Sequence, residues 1–278
     1  MESRTTVRTD DNLYLYCFFK GPASLSPHEG IDIVNATFIL SYKDVCALVS
    51  AVPANEYNEE DLEQRLQDLE WLTPKVKRHE EIIRYAMEAH SIVPVRFGTI
   101  YTSDEKVLEI LRSGYDEFYS HLDFISDKEE WGIKVYAEEG AGRQTIEPSS
   151  ELIGQLDGNI SSATSSGQAY LLKKKRENLI RQQMIDYLNN ISDELYQRML
   201  SWSIEGRRNK VLNRRSTGKE SDMILNAAFL LSKSDVEAFI EKVDTLAGNY
   251  ECDGFSLEIS GPWPCYNFCP DFEALRCG

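Results

Sequence analysis

The stretch Glu129–Ala137, EEWGIKVYA, decides how the fold is read. Ile133, Val135 and Ala137 fall on one face and Lys134 and Tyr136 on the other, the period of two that marks a strand. It stands near the middle of the chain, with one set of short strands and helical runs before it and another after it. Phe255–Ser260, the last regular run, alternates in the same way and is a candidate neighbour. Trp131–Ala137 is therefore read as the first strand of a second domain.

Downstream, the Gly-, Ser- and acid-rich segment 140–167 reads as mobile. Leu172, Leu179, Ile180, Met184, Leu188, Ile191, Leu195 and Met199 recur at helical spacing and predict a helix from about Gln168 to Trp202. Its length is above the usual range, which leaves room for a kink. The basic segment 206–219 follows, then an apolar strand Met223–Leu231, a helix 234–246 and the strand at 255–260. With the basic segment counted as a strand, the order strand, helix, strand, strand, helix, strand is the split βαβ order of a ferredoxin-like domain. The second domain is placed at 131–278, with a tail at 261–278.

Upstream, Met1–Asp11 is polar and expected to fray. The run Asn12–Lys20, NLYLYCFFK, is nearly all apolar and suits a central, covered strand. Segment 21–30 reads as a loop, and Ile31–Leu40 with Val45–Val52 as a hairpin. A charged helix is expected at 59–70 with Leu62, Leu66 and Leu69 as its apolar stripe. A second should open at Pro74 and run to about His90 with Val76, Ile82, Ile83, Ala86 and Met87 inward. Segment 91–100 reads as an edge strand carrying Pro94, and Ser103 as the cap of a helix to about Ile125. The fold class is α+β in two domains, 1–130 being a different mixed arrangement from the ferredoxin-like half.

The net charge of −16 argues against nucleic acid and anionic lipid as general partners, because both need a basic surface. The charge is uneven. Residues 1–130 hold 13 Lys/Arg against 25 Asp/Glu, whereas Tyr170–Lys219 holds 12 against 5. That asymmetry points to protein partners of complementary charge, or to the two halves complementing each other. Six cysteines without an apolar leader are read as reduced thiols of a cytoplasmic protein, and no apolar run reaches the roughly 20 residues of a membrane span.

The chemical motifs are weak. His79-Glu80-Glu81 begins like a zinc-protease helix, but Ile83 stands where the second ligand belongs, which favours a helix-surface histidine. Cys265 and Cys269 lack a second pair and a neighbouring His, so free thiols are the better reading than zinc. Arg96-Phe97-Gly98-Thr99 offers an arginine at a strand end, for an anion, a partner or a nearby carboxylate. Lys173–Arg176 is explained as well by a solvated helix face as by nucleic acid. No phosphate loop, dinucleotide loop or nucleophile elbow is present in the sequence. No cofactor or metal is called.

Several stretches together carry a resemblance. They are Leu13–Phe19, Leu69-Glu70-Trp71-Leu72 with His79 after it, Pro94–Thr99, Glu130–Val135, Gly167–Leu171 and Gly261–Phe268. In this order, over nearly the whole chain, the sequence resembles the gas vesicle protein F/L family, with its cyanobacterial F member most alike and L members nearly as similar. Cys265 departs from the pattern, since the family usually carries a second Pro there. The resemblance implies a non-enzymatic accessory protein of gas vesicle assembly that binds the small hydrophobic shell protein and assists nucleation or early formation. Other accessory proteins are further partners on this reading, and the place of action is the cytoplasm at the nascent vesicle. The partner-binding candidates are Arg96 and Phe97 of the turn and Trp263, Tyr266 and Phe268 of the tail, whose aromatic side chains are typical interface anchors. The competing account is domain packing, with Trp263 and Phe268 covering the sheet. A different class also stands: a small-molecule-binding or enzymatic protein on a ferredoxin-like scaffold, with segment 140–167 as a lid, marked by a deep pocket of converging ionisable groups.

Overall fold

A computed structural model describes residues 11–21, 25–58, 62 and 64–270, the side chains of Pro148 and Ser149 excepted. The frayed start expected at 1–10, part of the 59–70 helix and the end of the tail with Cys277 lie outside the described residues. The chain divides into two compact units: Met1–Glu129 with Trp263–Gly278, and Glu130–Pro262.

In unit 1, β1 (Asp11–Lys20) lies inside a five-stranded sheet between β3 (Val45–Pro53) and β4 (Ile92–Pro94), with β2 (Thr37–Tyr42) beyond β3 and β5 (Ile100–Tyr101) also on β1. All of these pairings are antiparallel. A bulge between Leu15 and Cys17 decides which side chains meet. It puts Tyr14, Tyr16, Cys17 and Phe19 into one cluster with Ile82, Ile83 and Ala86 of α1 (Leu69–Ala89), because an extra residue switches the face of all that follow. Phe18 goes the other way and stacks on Phe118 at 4.3 Å. Phe118 belongs to α3 (Tyr115–Phe124), which follows α2 (Asp104–Ser113) across Gly114. The near-continuous apolar run of β1 reflects this cover on both sides.

Several expectations are corrected in this unit. β2 starts at Thr37, not Ile31, because residues 28–36 fold into turns closed by Gly30 N–H to Asn35 O and by the Glu29–Ala36 bridge. α1 starts five residues before Pro74, because Asp68 caps it by accepting from the N–H groups of Glu70 and Trp71. The 91–100 strand splits into β4 and β5 around the turn at 96–99, and the 103–125 helix breaks at Gly114. Leu66 and Leu69, assigned to an inward stripe, are exposed.

Unit 2 runs β6 (Lys128–Ala137), α4 (Arg143–Ser149), α5 (Glu151–Ser161), α6 (Ser166–Leu200), β7 (Glu205–Arg208), β8 (Asp222–Ser232), α7 (Val236–Glu251) and β9 (Phe255–Trp263). Its sheet order is β7-β8-β6-β9. Ile133, Val135 and Ala137 of β6 join Leu225, Ala227, Phe229 and Leu231 of β8 in one cluster, closed by Leu195 and Met199 of α6 and Phe239, Val243 and Leu246 of α7. Two alternating strands under two amphipathic helices give the ferredoxin-like layer that the sequence pattern predicts. The segment read as mobile carries α4 and α5 instead. Ser150 caps α5 through the N–H of Ile153, and Ile146 and Ile153 bury against Ile180 of α6. The tail assigned to the second half groups with unit 1 from Trp263 onward.

Candidate functional site

In unit 1 the side chains Tyr14 and Tyr16 leave β1 on the same side and each holds a loop. Tyr16 Oη accepts from Ile31 N–H at 2.8 Å and lies 2.7 Å from Ser50 Oγ, which fixes the 28–36 loop. Tyr14 Oη accepts from Gly98 N–H at 2.9 Å and lies 3.1 Å from His79 Nδ1. His79 Nε2 is 3.2 Å from Val95 O. A carbonyl oxygen can only accept, so Nε2 carries the proton, and in the neutral ring Nδ1 accepts from the Tyr14 hydroxyl. The imidazole is buried, and desolvation pushes its pKa down from 6.5 to about 4, against the weaker pull of the Val95 carbonyl. One histidine thus ties both ends of the turn 95–98 to the sheet.

His79 is the residue that sequence reasoning misplaced. It is buried, not on the helix surface. The signal was present: position 79 shares the helical face of Ile82, Ile83 and Ala86, at spacings of three, four and seven.

The tail reaches the same place. Tyr266, in a short 3-10 turn at Tyr266–Phe268, sets its hydroxyl 3.2 Å from Glu80 Oε1 and 3.5 Å from His79 Nε2. Desolvation, reinforced by the Glu80 carboxylate, raises the Tyr266 pKa, so the phenol stays protonated and donates to Glu80. Phe97 lies with its ring 5.6 Å from His79 and 6.0 Å from Tyr14. Of the candidates, Phe97 and Tyr266 therefore meet α1, at His79 and Glu80. Phe268 and Cys265 are buried, Phe97 is half-buried, and Arg96, Trp263 (44% exposed) and Tyr266 face solvent. Cys269 Sγ lies 2.8 Å from Cys265 O. Among the described residues no group of three His, Cys, Asp or Glu side chains is placed to hold a metal ion.

Unit 2 has a separate open groove of about 340 Å³ between α6 and α7, lined by Arg198, Trp202, Glu241, Lys242 and Leu246. Two of its charges are engaged locally. Arg198 pairs with Glu194 at 2.6 Å, and Lys242 sits 5.6 Å from the Trp202 ring.

The model of the gas vesicle synthesis protein GvpL/GvpF family matches residues 12–270. The chain belongs to this family. GvpL/GvpF relatives include gas vesicle protein L of Streptomyces sp. (strain CB03234), 29% identical over 230 residues that cover 83% of this chain and 82% of that protein. Gas vesicle protein L1 of Halobacterium salinarum is 24% identical over 97% of this chain and 96% of its own length. Among solved structures, GvpF from Anabaena sp. PCC7120 superposes with a TM-score of 0.69 at 17% identity, covering 94% of this chain and 96% of that one. GvpF from Microcystis aeruginosa gives 0.63 at 18% identity, covering 92% and 98%. The GvpL/GvpF fold therefore extends over both units. Among the described residues no helix is long and apolar enough to cross a membrane.

Proposed function

We propose that this GvpL/GvpF protein is a non-enzymatic accessory protein of gas vesicle assembly that binds the small hydrophobic shell protein and assists nucleation or early growth. The observation that carries this reading is the family match to a gas vesicle synthesis protein along residues 12–270. A subunit that will form an apolar wall needs shielding before it polymerises, because exposed strands and apolar patches aggregate. The surface offered for this is the turn and the tail, which meet α1 at His79 and Glu80. Arg96, Trp263 and Tyr266 make the contact, while Phe97, Phe268 and the His79 network hold them in place. An aromatic and an arginine on a rigid base are the usual composition of an interface hot spot. Other gas vesicle accessory proteins are further partners on this reading, and the protein acts in the cytoplasm at the nascent vesicle.

The test is co-purification with the shell protein after joint expression, comparing wild type with Trp263→Ala and Arg96→Ala. Shell retention should drop tenfold or more at an unchanged melting temperature, and a variant that unfolds instead would remove this surface. Undiminished retention would remove this surface, and no retention by wild type would remove direct shell binding.

A further inference from the structure

In unit 1 the 28–36 loop presents two β-branched apolar residues at its tip, Ile33 (64% exposed) and Val34 (84% exposed). The chain below them is closed by Gly30 N–H to Asn35 O at 2.8 Å and by the Glu29–Ala36 bridge. Within the tip, Asp32 accepts from the N–H groups of Val34 and Asn35 and from the Asn35 side chain. From β1, Tyr16 Oη accepts from Ile31 N–H at 2.8 Å. From α1, Lys75 donates to Ile31 O at 2.9 Å, and Arg78 donates to Glu29 O at 2.9 Å and pairs with the Glu29 carboxylate at 3.1 Å. The loop is held as a rigid part, yet the apolar side chains at its tip stay in solvent.

At Ile33 it is the side chain, not the turn, that needs explaining. Its φ is +68°, a left-handed conformation that is costly for a β-branched residue. Asn or Gly would close the same turn with less strain. An exposure of 64% means that burial within the fold does not offset the cost.

We infer that the Ile33–Val34 tip is a preformed apolar contact that seats in the hydrophobic surface of the shell protein, as a second contact besides the Arg96 turn and the tail. The inference rests on the assembly role proposed above, which supplies an apolar partner. The chemistry of the tip selects that partner. Asp32 is held by three donors, Lys75 is directed to Ile31 O and Arg78 to Glu29, so covering Ile33 and Val34 removes apolar surface from water without stranding a charge. An acidic peptide or a nucleic acid would find no spare cation at the tip, whereas a hydrophobic subunit finds what it needs. Because the loop is already fixed, little ordering entropy is lost on contact.

Co-purification with the shell protein after joint expression, repeated with Ile33→Asn and with Val34→Ser, tests this beside thermal melting of each full chain. Shell retention should fall tenfold or more in both variants. Ile33→Asn should at the same time melt about 2 °C or more above wild type, because Asn accepts a positive φ more readily, and Val34→Ser should melt unchanged. Lost binding with gained stability marks a strained contact residue; a residue that serves the fold would lose both together. Full retention by both variants, where wild type retains the shell protein, would overturn the tip and leave the assembly role standing. No retention by wild type would overturn both. A lower melting temperature in Ile33→Asn would give the side chain to the fold, and self-association of wild type that Val34→Ser abolishes would give the tip to a second copy; each overturns the proposal.

Discussion

At the scale of a residue, His79 shows how a polar side chain serves a core. Its ring is neutral, with Tyr14 on one nitrogen and Val95 O on the other. Its pKa falls from 6.5 to about 4 on folding, so the unfolded chain binds a proton between those values and the folded chain does not. Stability is full above pH 6.5 and is lost as pH falls towards 4, by about 1.4 kcal/mol per pH unit and about 3 kcal/mol in total. Burial also lowers the pKa of His90 and His121, which adds loss in the same direction. Denaturant unfolding of wild type and His79→Phe across this range should show a shallower acid slope in the variant. It should also be less stable at pH 7, because Tyr14 and Val95 O lose their partner. Equal slopes would mean that His79 titrates normally.

At the scale of an element, the sequence was most informative where one face alone is buried. The alternation of β6 and the long heptad-like stripe of α6 gave their positions within a few residues, because burial on one side imprints a period. It misled where local hydrogen bonds compete with that period. Residues 31–36 are apolar enough for a strand, yet Asp32 and Asn35 close them into a turn. The 140–167 segment is Gly-rich, yet Ser150 caps a helix there. One glycine in it is compulsory. Gly142 precedes α4 at φ +78°, and a Cβ there would collide with the Tyr187 ring. Gly142→Ala should lower the melting temperature and cost at least about 1 kcal/mol, whereas Gly154→Ala, with open space around it inside α5, should not destabilise. Site legibility followed the same logic. Arg96, Trp263 and Tyr266 could be singled out as residue types, but the meeting of Tyr266 with His79 and Glu80 is a long-range contact that leaves no local period.

At the scale of the molecule, unit 1 is built from two separated stretches, Met1–Glu129 and Trp263–Gly278, with unit 2 between them. A division near Lys128, which the sequence pattern suggests, would therefore strip unit 1 of its tail. Phe268 and Cys265 are buried there, and Tyr266 covers His79 and Glu80 midway along α1. A fragment 1–129 should be less stable than the same fragment with residues 263–270 joined by a flexible linker, by about 2 kcal/mol for Phe268 alone. Thermal unfolding of the two fragments checks this, and equal midpoints would show that the tail adds nothing.

The interrupted build of unit 1 also sets an order in time. On the ribosome, residues 130–262 emerge between its two pieces, a delay of roughly ten seconds at ordinary elongation rates. Throughout it, the middle of α1 at His79 and Glu80 waits without Tyr266 while unit 2 can already fold. Trp263 and Tyr266 arrive only after unit 2, so a partner that recognises them meets only chains whose unit 2 has been made, and copies that stop short of it are passed over.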